Sequence, residues 1–312
     1  MIKKYAVAEG KLIEAVNQPA LISIYVDPDE KEKTYLISEK GINEHTIQSS
    51  LDQHELGRIE FASDHITMIL KTPKSYSSDD DFLFKVKSIG VFIFSDHLIL
   101  LLADDFPILE SEYFRNIVNI QDAILKLINQ SIGHFEAHLK VINMVNDQLE
   151  HEINTSVTNQ QLLNMFKLEK SLVFYLNAIS SNSHVVDKIK LNAAKFNFSP
   201  SHLELLDDLV IENVQCYKMA EIYSQVISGL MDARASLISN NLNFMMKNLN
   251  ALVIAVAVPS FFAGVGGMSE FMTIFGAKNT TLSYTLFVLG MIMTGVLTFV
   301  LIKKTEKFWK DF

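Results

Sequence analysis

The stretch Pro259-Ser-Phe-Phe-Ala-Gly-Val-Gly-Gly-Met-Ser-Glu270 closes a long uncharged segment and opens a short polar one. No charged residue occurs from Asn248 to Ser269, and none occurs from Asn279 to Ile302. At about 1.5 Å of rise per residue, either segment as a helix exceeds the ~30 Å hydrocarbon core of a bilayer. The sequence therefore predicts two membrane spans joined by a short hairpin, with most of the chain ahead of the first span.

Basic residues beside the spans predict how the chain is oriented. Lys247 precedes the first span, the hairpin carries only Lys278, and the tail after the second span holds Lys303, Lys304, Lys307 and Lys310. Because lysine and arginine accumulate on the cytoplasmic side of a membrane, both termini are expected in the cytoplasm. The first residues lack the apolar core of a secretory signal. We therefore expect a multi-pass protein of the inner (plasma) membrane, embedded in its lipid bilayer.

The charge of the chain excludes some classes of partner. The formal net charge is −9, and without the hairpin and the tail it is about −11. An acidic surface does not suit nucleic acid or an anionic membrane surface, whereas it concentrates cations. Surface acids that only keep a domain soluble are the alternative interpretation. The single cysteine, Cys216, excludes a disulfide framework and a multi-cysteine metal site.

Residues 1–112 are expected to form a small cytoplasmic α/β domain on a largely antiparallel sheet. Residues 42–52 have the pattern of a short helix after a glycine. Apolar and β-branched runs predict strands at residues 20–26, 58–62, 65–71, 82–94 and 97–102. Together with the segments that follow, the predicted class is an α+β domain, then long helices, then two transmembrane helices.

Residues 113–248 are expected to form a helical stalk in the cytoplasm. Apolar residues at helical spacing predict an antiparallel helix pair divided by a polar break at residues 154–159. Residues 196–201 should end the second helix, and Ser199 or Ser201 can cap the next one. From residue 201 that helix should run uninterrupted into the membrane, over on the order of 100 Å. A helix of this length needs neighbours, which copies of the chain around an axis would provide.

The remaining boundaries follow from the uncharged segments. The first transmembrane helix is predicted at residues 249–267 and the external loop at residues 268–281. The second transmembrane helix is predicted at residues 282–302, and the basic cytoplasmic tail at residues 303–312.

One face of the first span has the character of a pore lining. Two spans cannot enclose a water-filled route, so conduction requires an oligomer with the same face turned to the axis in each copy. Steps back from Ser269 along the helix give a small, polar or unbranched set: Asn243, Met246, Leu249, Ala257, Ser260 and Gly264. The other sides should face lipid or the second span, and they carry Val253, Ile254, Val258, Phe261 and Phe262.

Asp232 and the glycines of the quoted stretch each have two interpretations. A ring of Asp232 carboxylates would bind cations, or Asp232 pairs with Arg234 or with a neighbouring subunit. Glycines in a span usually permit close helix packing, as Gly264, Gly266 and Gly267 would. Alternatively, they let the helix unwind and turn carbonyl groups towards a hydrated ion. Their position at the mouth, beside Ser269 and Glu270, favours unwinding.

The whole chain resembles the CorA family of divalent-cation channels, within the two-span GxN superfamily that also contains ZntB zinc transporters. The features that carry the resemblance are the mixed N-terminal domain, the long helix, the proline-containing first span, the Gly267-Met268 signature, the short loop and the lysine-rich end. The resemblance implies a funnel-shaped homopentamer in which the first span lines the pore and the second surrounds it. It also implies cytoplasmic metal sites between subunits that close the channel when the ion is plentiful.

Single positions match the family's pattern by ungapped spacing. The resemblance implies that Asn243, Met246, Leu249, Ser260 and Gly264 face the pore and that Asp232 takes part in gating. Ser269 stands where the family has the asparagine that holds a hydrated ion, and a serine hydroxyl is shorter and presents one oxygen. The loop also lacks the family's Met-Pro-Glu segment, and Glu270 is its single acid.

Other candidate sites are weaker. His134 and His138 lie at i and i+4 on one helix face, but no third metal ligand is identified. An acidic group on the next helix is either an intersubunit metal site or a solvated face: Asp207, Asp208 and Glu212. No nucleophile–base arrangement is found, so an enzyme is not expected.

Two functions remain open from the sequence. The first is a homopentameric channel or transporter for Mg2+, Zn2+, Co2+ or Ni2+. No tightly bound cofactor is expected, and divalent cations would be both transported and regulatory. The second is a non-conducting membrane assembly of the same architecture that serves as a sensor or scaffold.

Overall fold

The protein is represented by a computed structural model that describes residues 1–8, 10–15, 19–76, 82–106, 108–109, 112–153, 159–267 and 280–310. The chain divides into two compact units, Met1–Met231 and Asp232–Phe312.

The first unit begins with a mixed α+β domain. In the described residues its strands are β1 (Ile2–Ala8), β2 (Lys11–Glu14), β3 (Ile22–Val26), β4 (Arg58–Phe61), β5 (Ile66–Pro73), β6 (Val86–Ile93) and β7 (Leu98–Leu102). Two helices, α1 (Glu30–Ser38) and α2 (Glu44–Leu51), lie between β3 and β4 in the sequence. The strand order is β2-β1-β3-β7-β6-β5-β4. Only the β3–β7 pair is parallel among these strands, which confirms the predicted largely antiparallel sheet.

Both faces of the sheet are covered. Successive residues of a strand point to opposite faces of the sheet, and all five side chains of β7 are buried. Both faces are therefore covered at this strand. Ile99 and Leu101 join a cluster with Leu36 and Ile47 of α1 and α2. The alternate residues Leu98, Leu100 and Leu102 join the larger core, which α3 and α4 complete on the other face.

Four long helices follow the sheet in the described residues: α3 (Ile120–Ile153), α4 (Asn159–Leu191), α5 (Pro200–Gly266) and α6 (Thr280–Lys310). The two helices predicted on either side of the polar break are confirmed as α3 and α4, while residues 154–158 of that break lie outside the described residues. Ser199 caps α5 through its hydroxyl oxygen, which accepts from the backbone N–H of His202 at 3.3 Å. Pro200 follows at the first helical position, where its missing N–H costs nothing.

The second unit contains the C-terminal part of α5, from Asp232, and the whole of α6. In the described part of the chain, two helices are long and apolar enough to cross a membrane, and these are the helix Pro200–Gly266 and the segment Thr285–Thr305. The α-helix α5 is continuous from Pro200 through Pro259 to Gly266. The predicted uninterrupted helix is therefore confirmed.

Candidate functional site

Small residues on one side of α5 allow α6 to approach closely. Ala251 and Ala255 are 2% and 8% exposed. A Cβ atom placed on Gly295 of α6 would lie 3.2 Å from both the Ala255 carbonyl oxygen and Pro259 Cγ. Close backbone approach is typical of helix pairs in a membrane. There the hydrophobic effect does not drive helices together, and packing between small residues stabilises the pair instead. This side of α5 is therefore the one that α6 covers.

The glycines near the end of α5 do not unwind the helix within the described residues. Gly264 and Gly266 are α-helical, and the backbone N–H of Gly267 donates to the Ala263 carbonyl at 3.0 Å. A Cβ atom on Gly266 would lie 2.6 Å from Cζ of Phe287, so this glycine makes room for an aromatic ring of α6. The favoured prediction of unwinding is thus wrong for Gly264 and Gly266, because both lie within the continuous α-helix. Close packing against α6 is seen at Gly266, whereas nothing lies within 4 Å of a Cβ on Gly264. Met268, Ser269 and Glu270 lie outside the described residues.

A polar contact joins the two helices at the other end of the pair. The Lys303 ammonium group donates to Asn248 Oδ1 at 2.5 Å and lies 5.6 Å from the centroid of the Phe244 ring. Sequence reasoning used Lys303 only to orient the chain and missed this contact. The available signal was Asn248, a polar residue at the boundary of the uncharged segment.

The predicted pore face is the side of α5 that α6 leaves uncovered. Ala257 is two residues, about 200° of helix rotation, beyond the covered Ala255. All six predicted positions are exposed in a single copy of the chain: Asn243, Met246, Leu249, Ala257, Ser260 and Gly264. The unbroken helix also places Val253 one turn from both Leu249 and Ala257. Val253 therefore belongs to this face, and its assignment to the opposite side is wrong.

Most of the remaining residues assigned to the other sides of α5 are exposed as well. Ile254, Phe261 and Phe262 are exposed and Val258 is half-buried. The hydroxyl group of Ser260 donates to the Val256 carbonyl of its own helix at 2.8 Å. Its oxygen still has lone pairs with which it can accept a hydrogen bond from water.

Asp232 and Arg234 lie in different environments. Asp232 is exposed and makes no ion pair among the described residues, whereas Arg234 is 1% exposed. Residues two apart on a helix do not face each other. The predicted alternative of a pair between these two side chains is therefore not found within this chain.

The two histidines of α3 lie in a partly buried environment that disfavours their charged form. His138 Nδ1 lies 2.7 Å from the Tyr175 hydroxyl group. Burial, and secondarily the neighbouring His134, lower the pKa of His138 to about 4, and burial lowers the pKa of His134 as well. The carboxylate of Glu136 instead binds Lys140 at 2.7 Å. In the part of the chain that the structure describes, no group of three metal-ligating side chains is found.

The acidic residues near the start of α5 lie in different environments. Asp207 binds Lys190 at 2.8 Å. Burial raises the pKa of Glu212, and the charges of Asp208 and Glu136 raise it further. Among the described residues of one chain, Asp207, Asp208 and Glu212 do not come together as a group that could hold a metal ion, and an intersubunit site stays a prediction.

The α+β domain, the long helices and the two apolar helices define a two-span membrane protein with a large domain outside the membrane. The model of the CorA-like Mg2+ transporter protein family matches residues 23–304. The chain belongs to this family. Its members are transporters of divalent cations, which confirms the prediction that the chain is not an enzyme.

Similar proteins cover most of the chain at low identity. The cobalt/magnesium transport protein CorA of Methanocaldococcus jannaschii is 22% identical over 252 residues, which are 78% of each chain. The cobalt/magnesium transport protein CorA of Thermotoga maritima is 23% identical over 243 residues, 74% of this chain and 68% of the relative.

Solved structures support the fold. The complete structure of the CorA magnesium transporter from M. jannaschii has a TM-score of 0.75 at 20% identity and covers 96% of both chains. The cytoplasmic domain of ZntB from Vibrio parahaemolyticus has a TM-score of 0.58 at 12% identity, covering 77% of this chain and 98% of that domain. The expected CorA-like architecture is thus confirmed, while the ion is not indicated by the likeness to ZntB.

Proposed function

We propose that the chain is a homopentameric channel of the inner (plasma) membrane that conducts divalent cations, with both termini in the cytoplasm. One observation carries this proposal: α5 is unbroken, so the six predicted pore-lining residues keep their helical spacing, and all six are exposed in a single copy of the chain. A helix face that presents Ser260 beside small residues in the span, and Asn243 just before it, suits a partner other than lipid. Five copies of the helix, each turning this face to the axis, would supply that partner and enclose a route for water and ions.

The chemistry of the uncovered face favours a hydrated hard cation. Asn243, Ser260 and Asp232 offer an amide, a hydroxyl and a carboxylate oxygen, and all three side chains are exposed. Oxygen ligands suit Mg2+, which keeps its inner water and is recognised through it. Zinc prefers nitrogen and sulfur ligands, and the predicted face contains no histidine or cysteine. We therefore propose Mg2+ as the principal ion, with Co2+ as a second substrate, as in the names of the two curated relatives.

Ser269 favours one alternative to conduction. It stands where the resemblance calls for the asparagine of the signature, so the mouth of the pore has lost an amide. A non-conducting assembly that serves as a sensor or scaffold would tolerate this loss.

Ion flux into liposomes that contain the purified full-length protein distinguishes these functions. We expect saturable entry of Mg2+ and Co2+, weaker entry of Zn2+, and none into protein-free liposomes. The variant Ala257→Phe narrows the uncovered face and should abolish flux. The matched variant Leu252→Phe adds a phenyl ring elsewhere on the exposed surface of the same helix, and should conduct normally. Absence of flux from the wild-type protein would support the non-conducting assembly.

A further inference from the structure

A cleft of about 440 Å3 lies within the first unit, beside β5, β6 and α4. This volume is in the range of small-molecule sites, roughly 300–1,000 Å3. Its lining combines three amino groups with apolar walls: Lys71, Lys85, Lys170, Leu56, Leu83 and Phe174. Lysines gathered around one cleft contrast with the net charge of −9 of the whole chain.

Lys71 is the buried lysine among the three that line this cleft. Its side chain lies on β5 and the residue is 4% exposed. The ammonium group donates to the Gln53 carbonyl and to Ser88 Oγ, each at 2.8 Å. Both acceptors are neutral, and no ion pair of Lys71 occurs among the described residues. An ammonium group has three N–H donors, and a buried one is costly unless an anion compensates its charge.

The two acidic residues near Lys71 contact other groups rather than its ammonium group. Glu55, which also lines the cleft, forms an ion pair with Arg58. The Asp52 carboxylate accepts from the backbone N–H of His54 at 2.8 Å. These carboxylates attract Lys71 from a distance without bonding to it. A bound anion would add the direct ionic contact that these two carboxylates do not make.

The backbone of Lys71 is fixed by two polar side chains of the long helices. Its N–H donates to Asn182 Oδ1 at 2.9 Å, and its carbonyl accepts from Asn182 Nδ2 at 2.8 Å and from Ser131 Oγ at 2.6 Å. Both partners come from long helices, α4 and α3. A group held on rigid elements in this way binds a ligand without a large ordering cost.

We propose that this cleft binds a small organic anion, whose phosphate or carboxylate group contacts Lys71 between Lys85 and Lys170. The apolar part of the ligand lies against Leu56, Leu83 and Phe174. Phosphate esters and polycarboxylates share the required chemistry of a multiply charged oxygen group on an organic body. The cleft lies outside the membrane helices, so its test is independent of ion conduction.

The pH dependence of binding provides one readout. Burial lowers the pKa of Lys71 to about 8, and Asp52 and Glu55 oppose that shift. The anion binds the protonated ammonium group, so its affinity is retained at pH 7 and falls as pH rises above about 8. The other charged or ionisable groups beside Lys71 are Asp52, His54, Glu55, Lys85 and Lys170.

Calorimetric titration of the full-length protein in metal-free detergent solution tests the proposal. The probes are adenosine 5′-monophosphate for a phosphate ester, citrate for a polycarboxylate, and adenosine as the uncharged comparison. We expect at least one of the two anions to bind at pH 7, and adenosine to show no binding. Lys71→Met keeps an unbranched chain of similar length without the charge. It should weaken the anion's affinity at least about tenfold, the effect of one charge-assisted hydrogen bond.

Variants at exposed positions keep the test independent of folding. The double variant Lys85→Ala/Lys170→Ala changes only exposed side chains and should weaken binding at least about threefold. Lys31→Ala removes an exposed lysine of α1 and should leave affinity unchanged. The proposal is overturned if neither anion binds, if adenosine binds as tightly as its monophosphate, or if the Lys71 and double variants both keep wild-type affinity.

Discussion

Asp232 is an exposed carboxylate on α5 whose charge is not neutralised within the described part of its own chain. Five copies around an axis would repel each other unless cations or protons lie between them. Asp232→Ala should therefore change the dependence of flux on the cytoplasmic metal concentration, on the order of threefold or more in the half-maximal concentration. Flux into liposomes over a metal titration on the cytoplasmic side measures this shift.

A matched acidic variant separates this role from a general effect of charge. Glu39→Ala removes an exposed carboxylate at the end of α1 and should leave the metal titration as in the wild type. Asp232→Ala should keep the oligomeric mass of the wild type. If its flux is unchanged at every metal concentration, Asp232 has no part in gating.

Ser269 is the position at which the sequence departs from the family signature. If a side-chain oxygen selects ions through their bound water, Ser269→Asn restores the amide and should raise the Mg2+/Zn2+ flux ratio several-fold. Magnesium loses its inner water reluctantly, whereas zinc accepts fewer ligands and gains less from a ring of amides. Fluxes of both ions through wild type, Ser269→Asn and Ser269→Ala at matched protein levels measure this effect. An identical ion preference in all three would move selection to Asn243 or Asp232.

At the scale of elements, the pair α5–α6 depends on Gly295. A Cβ at this position would lie 3.2 Å from the Ala255 carbonyl, whereas nothing lies within 4 Å of a Cβ on Gly290 of the same helix. Gly295→Leu should therefore force α6 away from α5 and destabilise the protein by about 1–3 kcal/mol. Gly290→Leu should change stability by less than about 0.5 kcal/mol. Unfolding in detergent, followed by the loss of helical circular dichroism, compares the two variants, and equal effects would contradict this packing.

The sequence identified the strands and helices that carry a strong hydrophobic pattern within their own residues. The β-branched run that became β3 and the unbroken run that became α5 each carry a strong pattern. The strands β1 and β2 were missed because two adjacent lysines interrupt the apolar pattern of β1 and because β2 has only four residues. The helix α1 was also missed, although Asp29 and Glu32 form a capping box that marks its start.

The sequence predicted the features of the candidate site that depend on helical spacing, but not the contacts between residues far apart in the chain. Helical spacing alone gave the six residues predicted to face the pore, because the period of a helix fixes which residues share a side, although it was misapplied to Val253. The contact between Lys303 and Asn248 joins residues far apart in the sequence, and the place of Lys71 depends on side chains from two other helices. Periodicity carries no information about such long-range pairs.

At the scale of the whole molecule, the helices of the first unit expose apolar side chains in rows. Leu163, Phe166 and Val173 follow helical spacing on α4, and Ile211, Val214, Ile222 and Val226 do so on α5. These residues lie outside the predicted membrane spans, so lipid does not cover them. Rows of exposed apolar residues on a helix mark surfaces that contact another protein. Other copies of the same chain could cover these rows, and such an assembly requires no second protein.

These rows and the uncovered face of α5 lead to the last prediction, which concerns assembly. The purified protein should be a pentamer, in which five chains of 35.3 kDa give a protein mass of about 177 kDa. Val214→Asp/Ile222→Asp places charges in the apolar row and should shift the population to smaller species, because burying an unpaired charge at an interface is costly. Leu191→Asp, at an exposed position at the end of α4, is the control and should stay pentameric. Mass measurement in detergent decides the outcome, and a wild-type protein that is a stable monomer or dimer would remove the pore, since α5 of one chain has no other α5 with which to enclose a route.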